Sequence, residues 1–407
     1  MKEAIILASQ ITKDFVSNRS LLVHELLDRP ILNILVDQLK DAGIEKVVFL
    51  ADEDDRDLKE AMDLVDMDCV YQEVSATKEI SFSSLGFEDD ADLLIFSSFC
   101  PFIGGEVLGD FLKKAKDKGA VSLIDEKYKS DLGIFYFEGN LLKNMPLDFF
   151  DFSRLGDQIR PDGFDFVSKD LDQDCLVIKT RSDFYKAQEL LRKNILERLV
   201  DSGVNIIDFN STIIGPGVQI GIDTTIYPGA RILGQTKIGS ACIIEGDTSI
   251  INSTVGDGCQ IKASYICDSE VHNEVTIGPF AQLRPQSIVR SKAHIGNFVE
   301  LKKTDFGENS KAGHLAYLGD SIVGQDVNIS CGVITANYDG KNKHQTLIED
   351  KAFIGSNANL IAPVRVAESA FVAAGSTITK DVDKDALAIE RAQQVNIKDW
   401  VKRRKLK

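Results

Sequence analysis

The chain has 407 residues, too many for one ordinary hydrophobic core, so two or three domains are expected. Its hydrophobic content of 43% and charged content of 27% are those of a soluble globular protein, and no stretch is long and apolar enough to form a membrane-spanning helix. The net charge of −16 lies almost wholly in residues 1–200, where 25 Lys and Arg oppose 40 Asp and Glu; such a half repels polyanions and argues against nucleic acid as a partner.

The apolar run Ala4-Ile5-Ile6-Leu7-Ala8 follows Met1 without a basic flank or a small-residue cleavage site, so it reads as a first β-strand rather than a signal peptide. Ile31–Ala42 reads as a helix, Val47–Ala51 as a strand and Leu93–Ser97 as another. Residues 1–182 therefore alternate strand and helix, the pattern of an α/β domain with a parallel sheet. Residues 183–203 read as a linker helix ending at Gly203, with Leu190, Leu191, Ile195 and Leu199 as a packing stripe. The seven cysteines (69, 100, 175, 242, 259, 267 and 331) are odd in number and scattered, without a Cys-x-x-Cys pair, which points to a reducing cytoplasm.

From position 214 the chain repeats every six residues. Ile214, Ile220, Ile226, Ile232, Ile238, Ile244 and Ile250 fall in strict register; after a slip near Gly256 the pattern resumes at Val271, Ile277, Leu283, Val289, Ile295 and Leu301. A helix of 3.6 residues per turn would carry these side chains around its axis, whereas a chain that makes a short strand and a corner every six residues stacks them on one inner wall. Each buried aliphatic side chain contributes roughly 1.5–3 kcal/mol before chain entropy is charged. Glycine, Asn and Asp beside the repeat suit the corners. Two segments, Ala312–Asp320 and Thr335–Thr346, interrupt the hexads and read as loops thrown off one face, where binding residues gather. The hexads return at Phe353-Ile354-Gly355 and fade after Ala374-Gly375, and the chain closes on the basic tail Lys402–Lys407. The organisation expected is 1–182, 183–203, 204–380 and a terminal arm at 381–407.

Within the repeat, Gly278-Pro279-Phe280-Ala281-Gln282-Leu283-Arg284-Pro285, His294–Lys303, Ser310–Asp320, Ala336-Asn337-Tyr338-Asp339-Gly340 and Ala386-Leu387-Ala388-Ile389 resemble the bacterial bifunctional N-acetylglucosamine-1-phosphate uridylyltransferase/glucosamine-1-phosphate N-acetyltransferase family. The close resemblance covers about residues 270–395 and is more specific than a hexad count. It implies a nucleotidyltransferase-like α/β domain, a linker helix and a left-handed parallel β-helix, assembled as a homotrimer with sites between subunits. It also implies acetyl-CoA as co-substrate, with no metal needed for the acetyl transfer.

Carried over by position, His314 takes the place of the family's general base; an amino sugar arrives mostly as an ammonium, and a base of near-neutral pKa frees its lone pair. Arg284 and Lys302 match the sugar-phosphate ligands, and two cations suit a phosphate dianion. Tyr317 and Asn328 match sugar contacts, with Glu300 a further candidate. Asn337, Tyr338 and Lys343 fall at the acetyl-CoA site, as do Ser356, Ala374 and Arg391. Cys331 stands where the family has Ala, a small-for-small change at a backbone contact; direct attack by the amine needs no Cys nucleophile.

Leu22-Val23-His24-Glu25 and Arg29-Pro30-Ile31-Leu32 still resemble the family's amino-terminal domain, yet its chemistry is altered. Where the family has Leu-Ala-Ala-Gly-x-Gly-Thr-Arg-Met, this chain reads Leu7-Ala8-Ser9-Gln10-Ile11-Thr12-Lys13-Asp14-Phe15, without either glycine and with Asp14 in place of Arg. The family's following Lys falls near Leu21, its magnesium-binding Asp at Ser98-Phe99, and the partner Asn around Thr180-Arg181. Phosphoryl-type transfer leans on a phosphate cradle, positioned cations and a metal, so uridylyl transfer is expected to be absent. Two other readings fit parts of the sequence. A zinc hydratase on the same β-helix is kept in view by His272, His294, His314 and His344, but lacks the close His pair such sites use. A non-catalytic scaffold, or an acetyltransferase for another amino sugar, is the alternative for the carboxy-terminal half.

Overall fold

A computed structural model describes residues 3–8, 15–51, 55–73, 80–81, 92–116, 118–125, 130–139, 146–147, 165–169 and 176–404. Residues 9–14 of the altered phosphate loop, Cys175 and residues 405–407 of the basic tail lie outside them. The chain divides into two units, Met1–Arg192 and Lys193–Lys407.

In the first unit β1 (Glu3–Leu7), α1 (Ile31–Asp41), β2 (Lys46–Ala51), α2 (Arg56–Met62), β3 (Asp68–Glu73), β4 (Leu93–Phe96), α3 (Gly105–Ala115), β5 (Ala120–Asp125), β6 (Ser130–Phe137) and β7 (Asp165–Lys169) follow in order. The strands form one sheet in the order β7-β5-β6-β4-β1-β2-β3. Central β1 is buried on both faces, with Ala4, Ile5 and Ile6 fully inaccessible, as a parallel strand between covering layers must be. Helices α1 and α3 approach closely: a Cβ at Gly105 would lie 2.1 Å from the Asp41 Cβ, so only glycine fits there. The Gln38 side-chain amide crosses the contact to the Pro101 carbonyl at 2.7 Å.

The sheet departs from the all-parallel expectation. Strand β6 runs antiparallel to both β4 and β5. Only four residues separate Asp125 from Ser130, too few for a crossover, so β5 and β6 pair as a hairpin. The cysteines also divide: Cys69, Cys242, Cys259, Cys267 and Cys331 are free, whereas Cys100 is disulfide-bonded.

A fourth helix, Arg181–Asp201, leads into the second unit. There short strands pair in parallel, one coil upon the next, along three faces of a left-handed parallel β-helix. One face stacks Ile214, Ile232, Ile250, Ile266 and Leu283; a second stacks Ile226, Ile244, Ile261, Ile277 and Ile295; a third stacks Ile238, Val255, Val271 and Val289. The slip near Gly256 has a simple form: the inward positions run Ile250, Val255, Ile261, Ile266 and Val271, with steps of five mixed among the six. The coils there lose one or two residues at their corners while the stacked positions stay in register. Threonines and serines beside the corners are buried and bond backbone carbonyls, as Thr304 does to Leu318 at 2.9 Å and Ser310 to Gly324 at 2.7 Å.

One of the two expected loops is not a loop. Lys311–Gly319 (β9) is a nine-residue strand in register with His294–Lys302 (β8). Both pass through the corner as continuous strands, Phe298 and Leu315 taking the turn at φ +58° and +51°. The six-residue spacing in fact runs on through it, since Ala312 and Leu318 are fully buried and stand opposite Ile295 and Leu301. The second segment is a true insertion: the coil-to-coil step grows to 25 residues between Ile329 and Ile354, and residues 337–345 bulge between the strands Ile334–Ala336 and Thr346–Ile348.

Among the described residues no helix is long and apolar enough to cross a membrane. Phe306, fully buried on the third face between Val289 and Val323, fills the coil interior. Phe306→Ala should destabilise the β-helix by about 3–5 kcal/mol, read as a lowered denaturant midpoint in circular dichroism of the full chain.

Candidate active site

Strands β8 and β9 organise the site by turning one corner together. The same corner recurs through six coils, with positive φ at Phe280, Phe298, Leu315, Gly332, Asn357 and Gly375. Ladder bonds tie the rungs: Gly332 N–H donates to the Leu315 carbonyl at 2.7 Å, Asn357 N–H to Cys331 at 2.8 Å and Gly375 N–H to Ser356 at 2.7 Å. The residues just before the corner, Asn297, His314, Cys331, Ser356 and Ala374, therefore form one column, with rungs roughly 4.8 Å apart. Four sequence candidates separated by 60 positions thus share one edge. Arg391 reaches its far end, its Cδ 3.8 Å from where a Cβ on Gly375 would sit. His314 is exposed, opposite Asn297, and its imidazole is bonded to no other described residue.

Past the corner, β8 alternates Leu301 inward and fully buried with Glu300 and Lys302 on the outer side. Glu300 stands opposite Tyr317, and Lys302 opposite Gly319. Arg284, one coil earlier, donates from Nη1 to Glu300 Oε1 at 2.9 Å, and that bond holds the guanidinium pKa up. The Lys302 ammonium lies 3.8 Å from the Asp320 carboxylate, with only 16% and 17% of these side chains exposed. Lys343 comes up beside Lys302 from the insertion. Its amine and charge, together with partial burial and the nearby Arg284, push the Lys302 pKa down, while Asp320 works the other way. A Cβ at Gly319 would sit 2.6 Å from the Tyr317 hydroxyl and 2.8 Å from the Asn337 amide, so glycine opens the floor on which these two groups meet. Arg284, Glu300, Lys302, Tyr317, Asn337 and Lys343 thus converge on one patch, three residues along β9 from His314.

Not every sequence candidate joins it. Asn328 lies on the face before the corner, in register with Lys311 and Phe353, and its amide bonds the Ser330 hydroxyl at 3.1 Å. Tyr338 is 60% exposed at the tip of the insertion, its hydroxyl bonded to the Gly340 carbonyl. Asp320 was missed by sequence reasoning although it ends the matched segment; in sequence it is a carboxylate directly after Gly319, and the fold alone brings Lys302 to it.

The insertion is closed by Asp339, whose carboxylate accepts from the backbone of Lys341 and Asn342 and from His344. These bonds hold its pKa far below the usual carboxylate range. The ionised form is the one that orders the loop, so its contribution persists above the ordinary carboxylate pKa and is lost only as pH falls through the depressed value. Amide protection at Lys341 and Asn342 should therefore survive acidification to about pH 4, and Asp339→Ala should abolish it at every pH; hydrogen exchange measures both.

In the first unit the positions matching nucleotide-site residues are engaged elsewhere. The Ser98 hydroxyl donates to the Leu132 carbonyl, Phe99 is buried, and Leu21 is fully inaccessible. Thr180 bonds Asp183 at the start of the fourth helix, and the Arg181 guanidinium lies 4.3 Å over the Phe15 ring. His24 donates to or accepts from Ser17 at 3.0 Å, and burial, then Arg181 and Arg19, lower its pKa. Among the described residues no group of three or more His, Cys, Asp or Glu could hold a metal ion.

An α/β unit followed by a parallel β-helix, with an exposed histidine at a paired corner and a cationic patch beside it, defines a two-unit hexapeptide-repeat protein. No family model matches the chain. It is 34% identical over 455 residues to the bifunctional protein GlmU of Clostridioides difficile (strain 630), an alignment covering 100% of this chain and 98% of that protein. It is 32% identical over 447 residues to that of Thermoanaerobacter pseudethanolicus, covering 98% and 97%. Identity reaches 51% over 235 residues with that of Geobacillus sp. (strain WCH70), covering 58% of this chain and 51% of the relative. The chain belongs to the bifunctional GlmU family. Solved structures of HddC from Yersinia pseudotuberculosis (14% identical, TM-score 0.37, 47% of this chain and 100% of that one) and Rv0371c from Mycobacterium tuberculosis (15%, 0.36, 46% and 96%) are too distant to carry weight.

Proposed function

We propose that the carboxy-terminal unit transfers the acetyl group of acetyl-CoA to the amine of glucosamine 1-phosphate. The product, N-acetylglucosamine 1-phosphate, would feed UDP-N-acetylglucosamine and cell-wall precursor synthesis in the cytoplasm. The observation that carries this reading is the exposed His314 imidazole, bonded to no other described residue, on the strand paired with the one that carries Lys302, beside a patch of three cations, within a family member. His314 takes a proton from the sugar ammonium, and the freed amine attacks the thioester carbonyl. The tetrahedral oxyanion collapses with the electron pair leaving on the CoA sulfur; the nitrogen, positive after its attack, gives up its second proton, which ends on the sulfur as the thiol. Arg284 and Lys302 neutralise the sugar phosphate, and Tyr317 and Glu300 orient the ring. The column Cys331, Ser356 and Ala374, with Arg391 at its end, forms the edge along which acetyl-CoA lies. Asn337, Tyr338 and Lys343 complete its site from the insertion.

The active form is a homotrimer in this reading, with sites between subunits. Asn328 supports it: a sugar ligand by resemblance, it lies on the face before the corner, away from the patch in its own chain, so a neighbouring subunit's site would be the one it serves. The segments 1–182, 183–203, 204–380 and 381–407 are the altered nucleotidyltransferase-like domain, linker helix, acetyltransferase β-helix and terminal arm.

The first unit is proposed to lack uridylyltransferase activity. A hydroxyl committed to a backbone carbonyl at Ser98, a buried apolar side chain at Leu21 and a helix-capping Thr180 do not fit a magnesium ion or a nucleotide phosphate, so no step is derived through that metal.

Purified protein given acetyl-CoA and glucosamine 1-phosphate should release free thiol, and silence beside a working control would reject the assignment. His314→Ala should lower kcat by about 10²–10⁴-fold. The same protein given UTP, N-acetylglucosamine 1-phosphate and Mg²⁺ should release no pyrophosphate; turnover there would restore the second activity.

A further inference from the structure

Resting on that reading, we infer that Asp320 is the positioning residue of the sugar-phosphate subsite: it fixes the Lys302 ammonium and joins that subsite to the acetyl-CoA loop. Four bonds converge on it. Its carboxylate accepts from the Asn337 side-chain amide and faces the Lys302 ammonium at 3.8 Å. Its own N–H donates to the Lys302 carbonyl at 2.9 Å, and its carbonyl accepts from Thr346 N–H at 3.2 Å. Asn337 opens the insertion and Thr346 follows its end, so one residue ties both stems of the loop to β8. Asp320 does this from a left-handed corner at φ +49°, where Asp is among the tolerated residues.

The charges explain why a carboxylate is needed. Lys302 meets Lys343 from the insertion and Arg284 from the preceding coil, while Glu300 is taken by Arg284. Asp320 is the anion that faces Lys302 and opposes this crowding. Without it the ammonium would turn away from its neighbours or lose its proton at lower pH. Either way the phosphate dianion loses a partner, and the proton-transfer step at His314 is untouched. A group that acts through Lys302 should therefore change substrate capture more than turnover.

Asp320→Asn keeps the size and an acceptor for Asn337 but removes the charge. In the full chain it should raise KM for glucosamine 1-phosphate about tenfold and leave kcat within about threefold. The basic limb of kcat/KM should move about one unit to lower pH. Asp320→Ala, which also drops the Asn337 bond, should raise KM for acetyl-CoA as well. Unchanged sugar-phosphate KM and an unmoved basic limb in Asp320→Asn, with native circular dichroism, would overturn the inference. A readout independent of turnover is the titration of ¹³C-dimethylated Lys302 by NMR, assigned with Lys302→Arg. Its midpoint should fall in Asp320→Asn, and an unshifted midpoint also overturns the inference. If the wild-type chain releases no thiol while that midpoint still falls, the functional reading fails and the positioning by Asp320 stands.

Discussion

Everything in the second unit depends on coil-to-coil registry. In a parallel ladder each coil packs on the coils directly above and below it, so a side chain's neighbours are set by how many residues complete a turn. That constraint tolerates turns of varied length, because the count can change at a corner without breaking the inner stack, as it does between Ile250 and Val271. It also places His314, Cys331, Ser356 and Ala374 on one edge although the insertion lengthens the chain between the second and third.

The inner wall was legible because burial acts on every hexad: each isoleucine in register faces the interior, and the periodicity that betrays it is a direct trace of that contact. The α/β alternation of the first unit was legible for the same reason, element by element, from Ile5 to Phe96. The antiparallel β6 was not, since a strand's direction depends on the length of its connection and leaves no mark in its own composition. Strand β9 was misread as a loop because its inward positions are Ala312 and Leu318, the first too small to stand out as a hexad, and its corner is taken by Leu315 and not by glycine. Leu315 and Phe298 hold positive φ through their ladder bonds. Of the site, the resemblance supplied names, and the fold supplied distances. Arg284, Glu300, Lys302 and Tyr317 meet because β8 and β9 are in register, whereas Asn328 is separated from them by a corner that no spacing rule reveals. Asp320 escaped notice because its role is expressed in bonds to Lys302, Asn337 and Thr346, all distant in sequence and brought to it only by the coils.

The two units hold their polar side chains differently. In the first, Ser98 bonds a carbonyl, Thr180 bonds at a helix start and Leu21 lies in the interior. In the second, the polar patch remains outside the core and its members bond mainly one another. Stability and chemistry can be separated in this way because the apolar interior carries the former and the outer side chains the latter.

The continuous passage of β8 and β9 through their shared corner bears on how a substrate would be met. A histidine carried by an isolated surface loop must be brought to order when the ligand arrives, and that ordering weakens affinity. The backbone at 314 is already stitched to the rung before it, with its following residue bonded to the rung after. Its imidazole retains only side-chain rotation, so most of the ordering at this position is done when the chain folds and little is left for an arriving ligand.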